Sequence, residues 1–153
     1  MSFDPYLHFQ GNCAEAMTFY AEVFGADDLM LMRYGEAPEA PPGPPLDETG
    51  RQLVMHAALM KDGRALMASD YPPGMEGMPQ ASVSVSRSVP DLAAGQTLFD
   101  RLAEGGAVIM PFAETFWAEG FGMVKDRFGT HWMISGPMKA GMGCPEEEEV
   151  AAV

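Results

Sequence analysis

The sequence predicts an α+β fold: two βαβββ modules that form a curved mixed sheet with the helices on its outside. Three observations carry this. A short helix with both ends marked, residues 12–24, lies between two short strands near the start. Asp62-Gly63 separates two apolar runs, the strongest short-range hairpin signal. The same pattern then begins again after residue 81.

The first strand is read at Ser2–Gln10. In the helix that follows, Asn12 is placed to cap the first turn, with Glu15 as the return partner of a capping box. Gly25 supplies a left-handed stop. Ala16, Phe19, Tyr20, Val23 and Phe24 recur at helical spacing and make one apolar stripe. Leu29–Tyr34 is the next strand. Glu36–Gly50 is rich in Pro and Gly and reads as an exposed loop. Gln52–Met60 and Ala65–Ser69 are the two strands of the hairpin, and residues 71–81 are a linker.

In the second module, Ser82–Ser86 is a strand of alternating Val and Ser. Asp91–Glu104 is a helix with Gly95, Leu98, Phe99 and Leu102 on one face. Ala107–Met110, Thr115–Val124 and Thr130–Ser135 complete the unit as strands. Thr18–Val23 echoes Thr97–Leu102, and Lys61-Asp62-Gly63 echoes Lys125-Asp126-Arg127. The expected organisation is therefore 1–70 as the first module, 71–81 as linker, 82–137 as the second module and 138–153 as a disordered acidic tail. Neither half can cover its own sheet, so the two are expected to pack together.

Composition excludes several classes. A net charge of −13 opposes nucleic acid, whose backbone needs a basic face. No apolar run approaches a membrane span and no basic-then-apolar leader opens the chain, so a cytoplasmic protein is expected. Cys13 and Cys144 have neither metal-type spacing nor a disulfide framework.

Pro5-Tyr6-Leu7 with Phe9, Gly11–Ala16, Phe19-Tyr20, Val23–Gly25, Leu31–Gly35, Met55–Ala57, Leu66–Asp70, Thr115–Trp117, Phe121–Met123 and Phe128-Gly129 with Trp132–Ile134 follow in order. Together they resemble the PhnB-like branch of the vicinal-oxygen-chelate superfamily, which includes glyoxalase I, bleomycin-resistance proteins and extradiol dioxygenases. The resemblance implies a cupped sheet lining a cavity. In the superfamily's enzymes that cavity holds a divalent metal on first- and last-strand residues. Carried over one by one, those positions are Pro5, a Ser or Val of Ser82–Ser86, Met67 and Met133. None is a usual ligand for zinc or iron, so neither metal nor other cofactor is expected. A carboxylate from Glu114 or Glu119 is the one route to a rebuilt metal site. Some PhnB-like proteins carry a demethylubiquinone methyltransferase label. This chain shows no Gly-rich loop after a strand of the kind a methyl-donor nucleotide needs.

Strand alternation names the cavity wall. With Met67 and Met133 inward, His131, Ser135 and Ser69 face inward too. A two-residue turn at Asp62-Gly63 sets Ala58 opposite Met67 and His56 opposite Ser69. Leu7 and Phe9 share the parity of Pro5 and face in, whereas Tyr6 and His8 face the helices. Trp117 is read as a ligand-stacking wall. The expected cavity is thus Leu7, Phe9, His56, Met67, Ser69, Trp117, His131 and Met133, with His56 the candidate general acid or base. The expected function is uptake of a small hydrophobic or aromatic molecule by a homodimer. The alternative is a metal-dependent or His-based lyase, isomerase or dioxygenase-type enzyme.

Overall fold

The computed structural model describes residues 4–39 and 45–141, and the chain divides into two units between Val83 and Ser84. The first unit runs β1 (Tyr6–Phe9), α1 (Cys13–Phe24), β2 (Asp28–Arg33), a 3-10 turn (Tyr34–Glu36), α2 (Glu48–Gln52), β3 (Val54–Lys61) and β4 (Arg64–Asp70). Its sheet has the order β1-β4-β3-β2, with β1 parallel to β4 and the other pairs antiparallel. The second unit runs β5 (Val85–Ser88), α3 (Leu92–Ala103), β6 (Ala107–Ala113), β7 (Phe121–Lys125) and β8 (His131–Ser135). Its order, β5-β8-β7-β6, repeats the first with the same parallel outer pair. Each unit is a βαβββ module, and the α+β class holds as two four-stranded mixed sheets.

In the first unit α1 packs on β2, β3 and β4. Cys13, Ala16, Met17, Phe19 and Tyr20 of α1 are buried against Leu7, Phe9, Ala57, Leu59, Leu66 and Ala68 of the strands. Each large apolar side chain so buried contributes about 1.5–3 kcal/mol before entropy is counted. Gly25 ends α1 at φ 58°, ψ 54°, a left-handed conformation that favours glycine. The start of α1 differs from expectation. Asn12 makes no side-chain cap bond. The buried carboxylate of Asp70, at the end of β4, does that work. Its Oδ1 accepts from Gly11 N at 2.9 Å and Cys13 N at 3.0 Å, and its Oδ2 from Val54 N at 2.8 Å. An ionised acceptor arriving from a neighbouring strand outcompetes the local amide.

The hairpin register is as expected: Lys61 opposes Arg64 and Ala58 opposes Met67 across Asp62-Gly63. The expected loop at Glu36–Gly50 contains α2, whose cap is Asp47, accepting from Gly50 N at 2.7 Å; residues 40–44 of it lie outside the described residues.

In the second unit Asp91 caps α3 through Ala94 N at 2.7 Å, and the expected stripe Gly95, Leu98, Phe99 and Leu102 is buried. Gly122 of β7 is what lets α3 approach. A Cβ there would stand 2.6 Å from the Phe99 ring and 2.9 Å from Phe112 Cα. The expected strand Thr115–Val124 begins only at Phe121. Before it, Thr115 N donates to Ala118 O at 3.0 Å and closes a tight turn. Lys139 N donates to Trp117 O at 2.9 Å, and Met138 bridges Ala118, so the chain past residue 137 is bonded to that turn. Residues 142–153 of the expected acidic tail lie outside the described residues.

Candidate functional site

Strand register decides which side chains share a face. In the first sheet Tyr6 pairs with Met67 and His8 with Ser69. Ala58 pairs with Met67 and Met30, and His56 with Met32. Side chains alternate along a strand, so Tyr6, His8, His56, Met30, Met32, Met67 and Ser69 occupy the face turned away from α1. Expectation is reversed on β1. Leu7 and Phe9 are buried on the helix side, and Tyr6 and His8 are exposed on the other. The resemblance puts the first-strand ligand position at Pro5, but the residue of β1 that pairs with Met67 is Tyr6. A slip of one residue moves every side chain of a strand to the opposite face. The β3–β4 ladder ends at Ala57–Ala68, so His56 does not pair with Ser69.

What gathers on this face is a chain of rings. Tyr6 Oη lies 3.1 Å from His56 Nδ1, with the two rings stacked at 5.8 Å between centroids. The His8 ring is 5.2 Å from Tyr6 and 5.4 Å from Tyr71. His8 Nδ1 is 3.3 Å from Ser69 Oγ. His56, Met67 and Ser69 share this face; Tyr6, His8 and Tyr71 join them, and Leu7 and Phe9 do not. The alternation Tyr6-Leu7-His8-Phe9 carried that information, and only its phase was missing. A separate surface cleft of about 200 Å³, walled by Tyr71, Pro72 and Pro73, contains none of the expected site residues.

In the second sheet Met133 pairs with Ser86 and Met123, and His131 with Lys125. Buried Trp132 and Ile134 occupy the other parity, so His131 and Met133 again lie on the face away from the helix. His131 Nδ1 is buried with no hydrogen-bond partner among the described residues. The Trp117 ring stands edge-on to Phe116 at 4.6 Å and to Phe121 at 5.5 Å. Phe121, opposite Ser135 at the start of β7, is the residue sequence reasoning missed here.

The residues present do not fit the metal of the superfamily's enzymes. The positions now read Tyr6 and Met67 in one unit, Ser86 and Met133 in the other, which offer hydroxyls and thioethers. Among the described residues no three His, Cys, Asp or Glu side chains converge. Glu114 is engaged by Lys139 at 2.6 Å, whose hydrogen bond lowers the Glu114 pKa.

Cys13 is buried beside Asp70. Burial first, and then the carboxylate, pushes its thiol from 9.0 up to about 12. The sign follows from linkage. Between those values the folded chain keeps a proton that the unfolded chain loses, so stability falls as pH rises. Unfolding free energies from urea titration should drop above pH 9, by up to about 1.4 kcal/mol per pH unit, with a shallower drop in Cys13→Ala.

Comparison with known proteins agrees with this fold. The family profile described as 3-demethylubiquinone-9 3-methyltransferase matches residues 1–135. The protein YjdN of Escherichia coli K12 is 35% identical over 143 residues, covering 88% of this chain and 95% of its own. The crystal structure of PA1353 from Pseudomonas aeruginosa superposes with a TM-score of 0.80 at 38% identity, covering 90% of this chain and 98% of its own. A Bacillus cereus structure, titled a putative 3-demethylubiquinone-9 3-methyltransferase and PhnB protein, gives 0.69 at 25%, covering 89% and 99%. A glyoxylase/bleomycin resistance protein/dioxygenase domain from Frankia gives 0.62 at 15%, covering 92% and 93%, which shows the shared fold. With the profile spanning nearly all of both modules, the chain belongs to the PhnB-like family described as 3-demethylubiquinone-9 3-methyltransferase, and it shares the fold of the glyoxylase/bleomycin resistance/dioxygenase domain.

Proposed function

We propose that the protein is a metal-free binder of a small hydrophobic or aromatic molecule, acting in the cytoplasm as a homodimer. The observation that carries this is the first unit's sheet face away from α1. It sets the rings of Tyr6, His56 and His8, the first two stacked, beside Met30, Met32 and Met67, with Tyr6 40% and Met30 38% exposed. Rings and thioethers adapt to flat apolar ligands, and the hydroxyl and imidazole groups give orientation.

Methyl transfer, which the family's description names, is not part of this reading. A donor nucleotide is held at a Gly-rich turn between a strand and a helix N-terminus. Here the turn before α1 is Gln10-Gly11-Asn12, and Asp70 already takes the amides of Gly11 and Cys13. The α3 N-terminus is taken by Asp91.

The test is fluorescence titration with a neutral hydrophobic dye, N-phenyl-1-naphthylamine. Saturable binding is expected, weakened about tenfold or more by Met67→Glu, which sets a charge on the apolar face. No saturation, or no effect of the substitution at unchanged melting temperature, would sink the proposal.

A further inference from the structure

We propose that His8 and His56 form a paired donor site on the first sheet, which holds the oxygens of a small aromatic carboxylate. This rests on the binding function above and names its ligand class.

The argument begins with tautomers. A neutral imidazole has one N–H donor and one bare nitrogen acceptor, and the group that touches one nitrogen fixes which is which. Both rings have a hydroxyl at Nδ1: Tyr6 Oη at 3.1 Å from His56, and Ser69 Oγ at 3.3 Å from His8. A phenol gives its proton to an imidazole nitrogen more readily than its ring-delocalised lone pair accepts one. A serine hydroxyl turns to do the same. Each Nδ1 then accepts, and each Nε2 carries the hydrogen. The outcome is two N–H donors on one face, with the Tyr6 ring between them at 5.2 and 5.8 Å from the two imidazoles.

Two donors call for a ligand rich in acceptors, and a carboxylate makes the strongest such bonds. Met30, Met32 and Met67 on the same face would receive its apolar ring. The surroundings permit an anion despite the acidic chain. Asp28 is on this face but at its far end, opposite Met60, four pairs along the ladder from Met32–His56. Asp4, two residues before Tyr6, already has a partner. The Asp70 carboxylate is on the other face, bonded to three backbone amides. The Tyr34 phenol stays neutral, its pKa raised first by burial. An imidazole supported at Nδ1 is also the form that ligates metals, but zinc needs at least three protein donors, and the described residues of this face offer two.

The test has two arms, both on the full chain. Long-range ¹H–¹⁵N spectra of histidine-labelled protein in mildly alkaline buffer should show His8 and His56 as Nε2–H tautomers. Tyr6→Phe should change the His56 signals and leave those of His8. An Nδ1–H tautomer at either residue overturns the proposal. In the second arm, calorimetry with benzoate and with benzyl alcohol should show benzoate binding at least about tenfold more tightly. His8→Ala and Tyr6→Phe, both at exposed positions, should each remove most of that preference. Equal affinities, or a preference that survives both substitutions, overturn it. If the naphthylamine dye binds and benzoate does not, the donor site is wrong and the binding function stands. If neither binds, both fall.

Discussion

Replacing Asp70 by Ala is expected to destabilise the protein by about 3–5 kcal/mol, read as a lower urea midpoint by circular dichroism at unchanged slope. Three backbone amides, from Gly11, Cys13 and Val54, lose their acceptor together. Each buried N–H left unsatisfied costs about 1–3 kcal/mol, and the sum is discounted because Gly11 is exposed to water. The substitution also cuts side-chain ties that join the end of β4 to the starts of both α1 and β3. Asp70→Asn should cost about half as much, since its single amide oxygen can still accept at one site while its NH₂ meets a donor at the other. An unfolding free energy for Asp70→Ala within about 0.5 kcal/mol of the parent would show that these amides find water or another partner.

Asp70 also marks the limit of what the sequence disclosed. The doubled βαβββ unit was legible because its signals are local: Gly25 as a stop, Asp62-Gly63 as a turn, and the Leu98, Phe99, Leu102 stripe. The cap of α1 was not. Asn12 and Glu15 satisfied the short-range rule, yet the acceptor that serves the helix is nearly sixty residues away and reaches it only through the parallel pairing of β1 with β4. The candidate site failed in one place for a related reason. Four residues of alternating character in β1 fix that two point each way, but not which two. The phase depends on the partner strand, and there Tyr6, not Pro5, pairs with Met67. His56 and Met67 were placed on a common face because a two-residue turn fixes its own register. Tyr6 and His8, in a strand whose partner is distant in sequence, were assigned to the wrong side.

The second module has its own buried carboxylate, and its loss should be felt most at Trp132. Asp126 is 3% exposed. Its Oδ1 accepts from Phe128 N at 2.9 Å and Thr130 N at 3.0 Å, and its Oδ2 from Trp132 Nε1 at 2.7 Å. The echo with Asp62 ends at sequence, since Asp62 is exposed in a two-residue turn while Asp126 organises the longer β7–β8 connection from within. Asp126→Ala is expected to cost about 3–4 kcal/mol, because it strands two amides and a buried indole N–H. Asp126→Asn is only a partial rescue: whichever way the amide turns, its oxygen still accepts on one side and its NH₂ faces a donor on the other. Trp132→Phe removes one of those donors and leaves a cavity of its own. A double-mutant cycle of Asp126→Asn with Trp132→Phe should therefore show coupling, the pair costing about 1–2 kcal/mol less than the two single changes added together. Both tryptophans of the chain lie in this unit, so fluorescence reports on it directly. Strictly additive costs would mean that Trp132 Nε1 does not depend on Asp126, and the carboxylate's role would shrink to the turn alone.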